Sequence, residues 1–244
     1  MPTRSTAVEP LCLHRGKPLV INSHITVNNP RLGQIADMGE EEYYRALYRL
    51  IAMPQDVMAQ LDKIGIDWEQ ISDYDLFLLL HWGFTPDDTR IFFGDLNIST
   101  MQVEMNEKTN MLVLTADDGT VIDLGIYTRI VEFLCALHGI KRVKKRAGNA
   151  FTKRAMMEDA YDALKAPVKE YKPVLFPLVS AMVNHPGFKR DDQTVYDMNI
   201  YAFMDSVRRI SLEQNCFALI NGMYSGMIDG SKIRPSDYDW FKSF

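Results

Sequence analysis

What the sequence lacks narrows its function first. A membrane span needs about 20 consecutive apolar residues, and the most apolar stretches, residues 76–80 and 173–183, are far shorter. No secretory leader is expected, because Arg4, Glu9, His14, Arg15 and Lys17 interrupt residues 1–20. Cysteine is scarce. The three thiols, Cys12, Cys135 and Cys216, are far apart and read as reduced thiols, two of them on apolar helical faces, rather than as a disulfide or zinc framework. An excess of positive charge is also missing: 32 acids against 27 bases leave a net charge of −5, which disfavours a dedicated nucleic-acid protein. The sequence holds no P-loop, no G-x-G-x-x-G, no H-E-x-x-H, no G-x-S-x-G and no C-x-x-C. None of His14, His24, His81, His138 and His185 pairs with another His or Cys at metal-ligand spacing.

What remains is an ordinary globular balance, 47% hydrophobic and 24% charged over 244 residues, enough to bury a core. Residues 1–36 read as an extended arm. Pro2, Pro10, Pro18 and Pro30 punctuate it and disfavour helix, while residues 19–27 are rich in Val, Ile and Thr and supply one or two strands. Removing this arm is expected to leave the rest folded. Residues 37–244 read as a mainly helical body. Asp37 and Glu40 stand three apart, as in a capping box, and Tyr43, Leu47, Leu50 and Ile51 give residues 38–52 one apolar face. Pro54 opens a helix running to about Lys63, and Ser72 with Asp75 caps another that Gly83 and Pro86 close.

The period changes over residues 91–122. Residues 98–105 and 111–115 read as strands around a polar turn at 106–110. The turn Asp117-Asp118-Gly119 leads to a short strand at Val121 and Ile122, and residues 91–93 read as an additional edge strand. Asp123 caps a helix lined by Ile126, Ile130, Phe133, Leu134 and Leu137, with Gly139 near its end. Residues 150–165 read as an amphipathic helix closed by Pro167, and an apolar helix follows, ending at His185-Pro186-Gly187. Thr194 caps the longest helix, residues 195–225, with Asn215 as its weak point; unbroken it measures about 45 Å at about 1.5 Å per residue. The fold class expected is therefore mainly α (α+β): a helical body, a small antiparallel β-hairpin or meander insertion, and the extended N-terminal arm.

The strongest charge feature is Lys141, Arg142, Lys144, Lys145, Arg146, Lys153 and Arg154, with no acid among residues 141–154. Against a total of −5, the rest of the chain must carry about −12. These seven residues are the candidate partner-binding site, set against a plain solvated loop and against nucleic-acid binding; only Phe151 offers an aromatic ring for stacking. The acidic pairs Asp73/Asp75, Asp87/Asp88 and Asp117/Asp118 all fall at helix starts or turns, where Asp serves as cap or turn former, and no catalytic, cofactor-binding or metal-binding residue is assigned. Fourteen methionines are spread along the chain as core filler and as adaptable contact surface.

Four segments carry a resemblance. They are Ile25-Thr26-Val27 with Pro30, Leu32-Gly33, Ile35 and residues 39–44; Gly65-Ile66-Asp67-Trp68 with Ile71 and residues 73–77; His138-Gly139, the basic run, Gly148-Asn149 and the helix after it; and residues 203–210 with residues 222–226 and Ile228-Asp229. Together they resemble proteins encoded in the structural-gene clusters of tailed phages of Gram-positive bacteria, among them tail-assembly and minor virion proteins. The resemblance implies a non-enzymatic structural or assembly protein without cofactor, most readily of the tail module. It would contact other phage structural proteins or further copies of itself rather than nucleic acid or membrane, first in the host cytoplasm and then in the virion. Two alternatives stand beside it: a tail-assembly chaperone absent from the mature particle, and a nucleic-acid-binding regulator using residues 141–154.

Overall fold

Side-chain caps written into the sequence start half of the α-helices described. The computed structural model describes residues 9–167 and 169–242. Its N-terminal part runs α1 (Pro10–His14), β1 (Leu19–Val20), β2 (Thr26–Val27), α2 (Leu32–Met38), α3 (Glu40–Leu50), α4 (Met58–Lys63), α5 (Asp73–Leu80) and α6 (Pro86–Phe93). The antiparallel meander β3 (Gln102–Asn106), β4 (Met111–Thr115) and β5 (Val121–Ile122) follows. Then come α7 (Leu124–His138), α8 (Ala150–Lys165), α9 (Leu175–Val183) and α10 (Ile200–Tyr224). With 55% helix and 8% strand, the fold is mainly α with a small β insertion.

The local reasons are visible. Ser72 accepts the Asp75 N–H at 3.0 Å to open α5, and Asp123 accepts the Ile126 N–H at 2.8 Å to open α7. Gly139, at φ 64°, closes α7 as the Ile140 N–H reaches back to the Cys135 carbonyl at 2.9 Å. Asn149 and Asn199 cap α8 and α10. Cys135 and Cys216 are buried.

Several boundaries differ from the sequence expectation. Residues 91–93 are not an edge strand but the end of α6. Pro86 and the reciprocal Thr85–Asp88 capping box commit the segment to helix, and Thr89, Phe92 and Phe93 bury at helical spacing. Residues 98–100 form a 3-10 turn, so β3 begins at Gln102. Thr194 does not cap the long helix. Its N–H and hydroxyl are spent on Asp191, it opens a 3-10 turn, and the helix starts behind Asn199. The helix then runs through Asn215 without a break for 25 residues, about 37 Å. Helix also begins before Asp37: α2 starts at Leu32, and Gly39 at φ 94° separates it from α3.

The largest difference concerns the arm. Residues 1–8 lie outside the described residues, but residues 9–36 do not drape away from the body. The expected strands are present as β1 and β2, with Leu19 opposite Val27. Yet Leu13, Ile25, Val27, Leu32 and Ile35 sit inside the main hydrophobic core beside Tyr43, Leu47, Phe92, Phe133 and Phe203. Burying five such side chains stabilises the fold by roughly 1.5–3 kcal/mol each, so the segment belongs to the body. A smaller core of Ala52, Leu61, Trp68 and Leu76 lies under α4 and α8, with Met156 and Met157 packed on it.

Helices α3 and α7 are joined by the Tyr127 hydroxyl at the Leu50 carbonyl and, at their other ends, by a pair of side chains. The Tyr43 hydroxyl lies 2.7 Å from His138 Nε2, and His138 Nδ1 lies 2.7 Å from the Leu134 carbonyl. With Nδ1 donating to that carbonyl, Nε2 accepts from the tyrosine, so the ring is satisfied only when neutral. Burial holds its imidazole down at about 4, against the ordinary 6.5. The unfolded chain therefore binds the extra proton first. Stability should fall as the pH drops from about 6.5 towards about 4 and change little through this group below that, by up to about 3 kcal/mol. Urea unfolding at stepped pH should show this slope, and His138→Gln should flatten it.

Candidate functional site

The basic segment is held against the body by residues far from it in sequence. Arg142 reaches Asp73 at 3.0 Å and the Ala52 carbonyl at 3.2 Å, and Lys144 reaches the other oxygen of Asp73 at 3.3 Å. Asp73 opens α5, so the residue that begins this helix also anchors the strap. The Gln55 side-chain amide donates to the Val143 carbonyl at 2.9 Å and accepts the Lys145 N–H at 2.5 Å, and the Glu69 carboxylate accepts the Ala147 N–H at 3.0 Å. Lys153, on α8, sits between Asp67 and Glu69 at 2.6 and 2.9 Å. Its ammonium keeps both carboxyls below their ordinary range, and they in turn raise its own. Arg154 pairs with Glu158 one turn along α8.

Four of the seven candidate residues, Arg142, Lys144, Lys153 and Arg154, thus have acidic partners within the chain. Lys141, Lys145 and Arg146 have none among the described residues. Beside the last two runs a cleft of about 440 Å³, floored by Trp68, Gln70 and Ile71. Trp68 is buried and its indole N–H has no partner among the described residues. A second cavity of about 600 Å³ lies across the Asp73 bridge, lined by Tyr74, Tyr127, Cys135 and Arg142. Burial raises the Cys135 thiol pKa, which keeps it protonated and unreactive.

The other candidates are scattered. Asp75, Asp88 and Asp118 close a cap, a capping box and a turn. His81 is buried with its Nδ1 at the Leu78 carbonyl, His185 meets Gln214, and His24 lies 3.8 Å from Asp118. The described residues contain no group of three His, Cys, Asp or Glu placed to hold a metal ion, and no helix long and apolar enough to cross a membrane.

Sequence reasoning missed the partners Gln55, Asp67, Glu69 and Trp68, and took Asp73 only as a helix-start residue. Contacts between residues 69 to 90 positions apart leave no periodic signal. It also missed Glu40. This carboxylate accepts the N–H groups of Val174 at 2.5 Å and Leu175 at 2.8 Å and the Tyr171 hydroxyl at 2.8 Å. Burial alone would raise its pKa, but these donors at the start of α9 bring it below the ordinary value.

The C-terminal part that Glu40 grips is where a known family appears. Residues 168–244, about a third of the chain, match the family model described as YomV second domain, a phage-derived family. Searches of curated proteins and of solved structures found no match. The matched part contains α9, α10 and a tail that folds back along α10, where Arg209 holds the carbonyls of Trp240 and Lys242 at 3.1 and 2.8 Å. Leu175, Val179, Met182, Val195, Ile200 and Phe203 of this part enter the main core.

Two contrasts test the site. Asp73→Asn leaves Arg142 half-buried without its counter-charge and should cost about 1–3 kcal/mol in urea unfolding. Lys145→Ala and Arg146→Ala should stay within about 0.5 kcal/mol of the wild type. A cost at Arg146 equal to that at Asp73 would mean the free cations are structural too.

Proposed function

We propose that the chain is a non-enzymatic virion or virion-assembly protein of a tailed phage, acting in the tail module through protein–protein contacts. The observation that carries this reading is the phage-derived module at residues 168–244 built into the same core as the rest of the chain. The surfaces left over support it. The basic strap keeps three cations without an acidic partner among the described residues, and the β3–β4 hairpin exposes Met105, Met111 and Leu112. Contiguous exposed apolar side chains on a small protein mark contact sites, and methionine adapts to a partner's shape. On this reading the chain folds in the host cytoplasm and is then built into the particle.

Quantitative mass spectrometry of purified particles beside the infected-cell lysate tests the proposal. The chain should be found in the particles at a fixed copy number relative to the other structural proteins. Abundance in the lysate with absence from the particles would overturn the virion assignment and favour a chaperone that leaves before maturation.

A further inference from the structure

The hydrogen bonds of the strap define its conformation. Val143 C=O, Lys145 N–H and Ala147 N–H all point to the same side, towards Gln55 and Glu69. Groups two and four residues apart on one edge are the signature of an extended strand. The side chains agree: Arg142 and Lys144, two apart, both reach Asp73. Residues 142–147 belong to no paired strand, and this alternation is that of an extended segment whose inner edge is bonded by side chains in place of a neighbouring strand. In such a strand the backbone groups of Lys144 and Arg146 face the opposite edge, and they have no partner among the described residues. The cations Lys145 and Arg146, without ion-pair partners among the described residues, flank this open edge on its two faces, and Val143 is 68% exposed.

A second open edge lies in the same chain. The sheet order is β3-β4-β5, so β3 pairs on one side only. Beyond that ladder, its backbone makes one further bond among the described residues, from the Asn110 N–H to the Asn106 carbonyl in the hairpin turn. Its sequence, Gln102-Val103-Glu104-Met105-Asn106, continues into Glu107, and both glutamates are exposed and have no ion-pair partner among the described residues. Across residues 95–119 five acids face the single base Lys108. The chain thus presents a basic open edge and an acidic open edge, each with exposed apolar side chains beside it.

We propose that the strap of one copy captures the β3 edge of a second copy, making the chain a homo-oligomer by strand addition. Edge pairing supplies the affinity through backbone hydrogen bonds, and Lys145 and Arg146 against Glu104 and Glu107 set partner and orientation. Each copy carries one edge of each kind, so the contact is reciprocal in a two-fold dimer or propagates around a ring. A nucleic acid suits the strap less well, because a phosphate backbone offers no N–H donors to the carbonyls of Lys144 and Arg146, and three unpaired cations neutralise few phosphates. The proposal deepens the protein-contact reading above and rests on it. Its test uses only the purified chain, so it can fail while the chain is still found in particles, and the reverse.

The experiment is sedimentation equilibrium of the full chain at low and high salt, with two charge-reversed variants. One is Lys145→Glu with Arg146→Glu, the other Glu104→Lys with Glu107→Lys. All four positions are exposed, and far-UV circular dichroism confirms that each variant folds. The wild type should associate, with a dissociation constant that weakens at high salt. Each variant alone should dissociate at least tenfold more readily, and an equimolar mixture of the two should regain wild-type association, since reversed strap then meets reversed hairpin. Hydrogen exchange at the Lys144 and Arg146 amides should slow on association. A wild type that stays monomeric at low salt would overturn the proposal. So would association indifferent to both reversals, a mixture that fails to recover, or a strap that binds a single-stranded oligonucleotide while self-association is absent.

Discussion

The carboxylate of Glu40 is the contact on which the arrangement of the chain turns. It begins α3, and it accepts two backbone N–H groups at the start of α9 and the Tyr171 hydroxyl just before it. A helix N-terminus leaves N–H groups without partners, and an anion there satisfies them and the helix dipole together. A second seam runs beside it. The Ile200 N–H bonds to the Pro30 carbonyl at 2.8 Å, the Leu32 N–H to the Met198 carbonyl at 2.9 Å, and the Asn199 side chain to the His14 carbonyl at 3.0 Å. Asn199 thus caps α10 with one end of its amide and holds the N-terminal segment with the other. Gly33 lies against this seam, where a Cβ would stand 3.2 Å from the Tyr196 carbonyl oxygen.

These contacts explain why the family-matched part does not behave as an appendage. The first residues described and the last third of the chain close on each other, and the central helices fill the space between. The surfaces that remain for partners lie elsewhere, on the strap, on the hairpin and on the distal half of α10, where Phe217 and Tyr224 face solvent. The strap is held on one edge and open on the other. That combination fixes its position without consuming its capacity to pair.

Local features were legible in the sequence because their causes are local. Ser72, Asp123 and Gly139 act within four residues of themselves, and the helices they bound were found at the expected places. The hairpin was legible from its alternation and its polar turn. The triplet at residues 91–93 was misread because a short apolar run has no period of its own; the capping box of Thr85 and Asp88 just upstream decided it. The arm was misread for a different reason. Its prolines exclude long helix but say nothing about burial, and the partners that bury it, Phe92, Phe133 and Phe203, lie more than fifty residues away. The basic run stood out as charge, but which of its cations are consumed depends on Asp67 and Glu69, which local reading passed over, and on Asp73, which it assigned to a helix start.

The central claim is that residues 9–38 and the C-terminal module form one cooperative unit. Thermal unfolding of the chain lacking residues 1–30, with hydrogen exchange read along α10, tests it most directly. Loss of Leu13, Ile25 and Val27 removes burial comparable to the whole stability of an ordinary domain, about 5–15 kcal/mol. The account predicts no cooperative transition and loss of protection at the start of α10. An unchanged midpoint with α10 still protected would contradict it and restore the N-terminal segment to a dispensable arm.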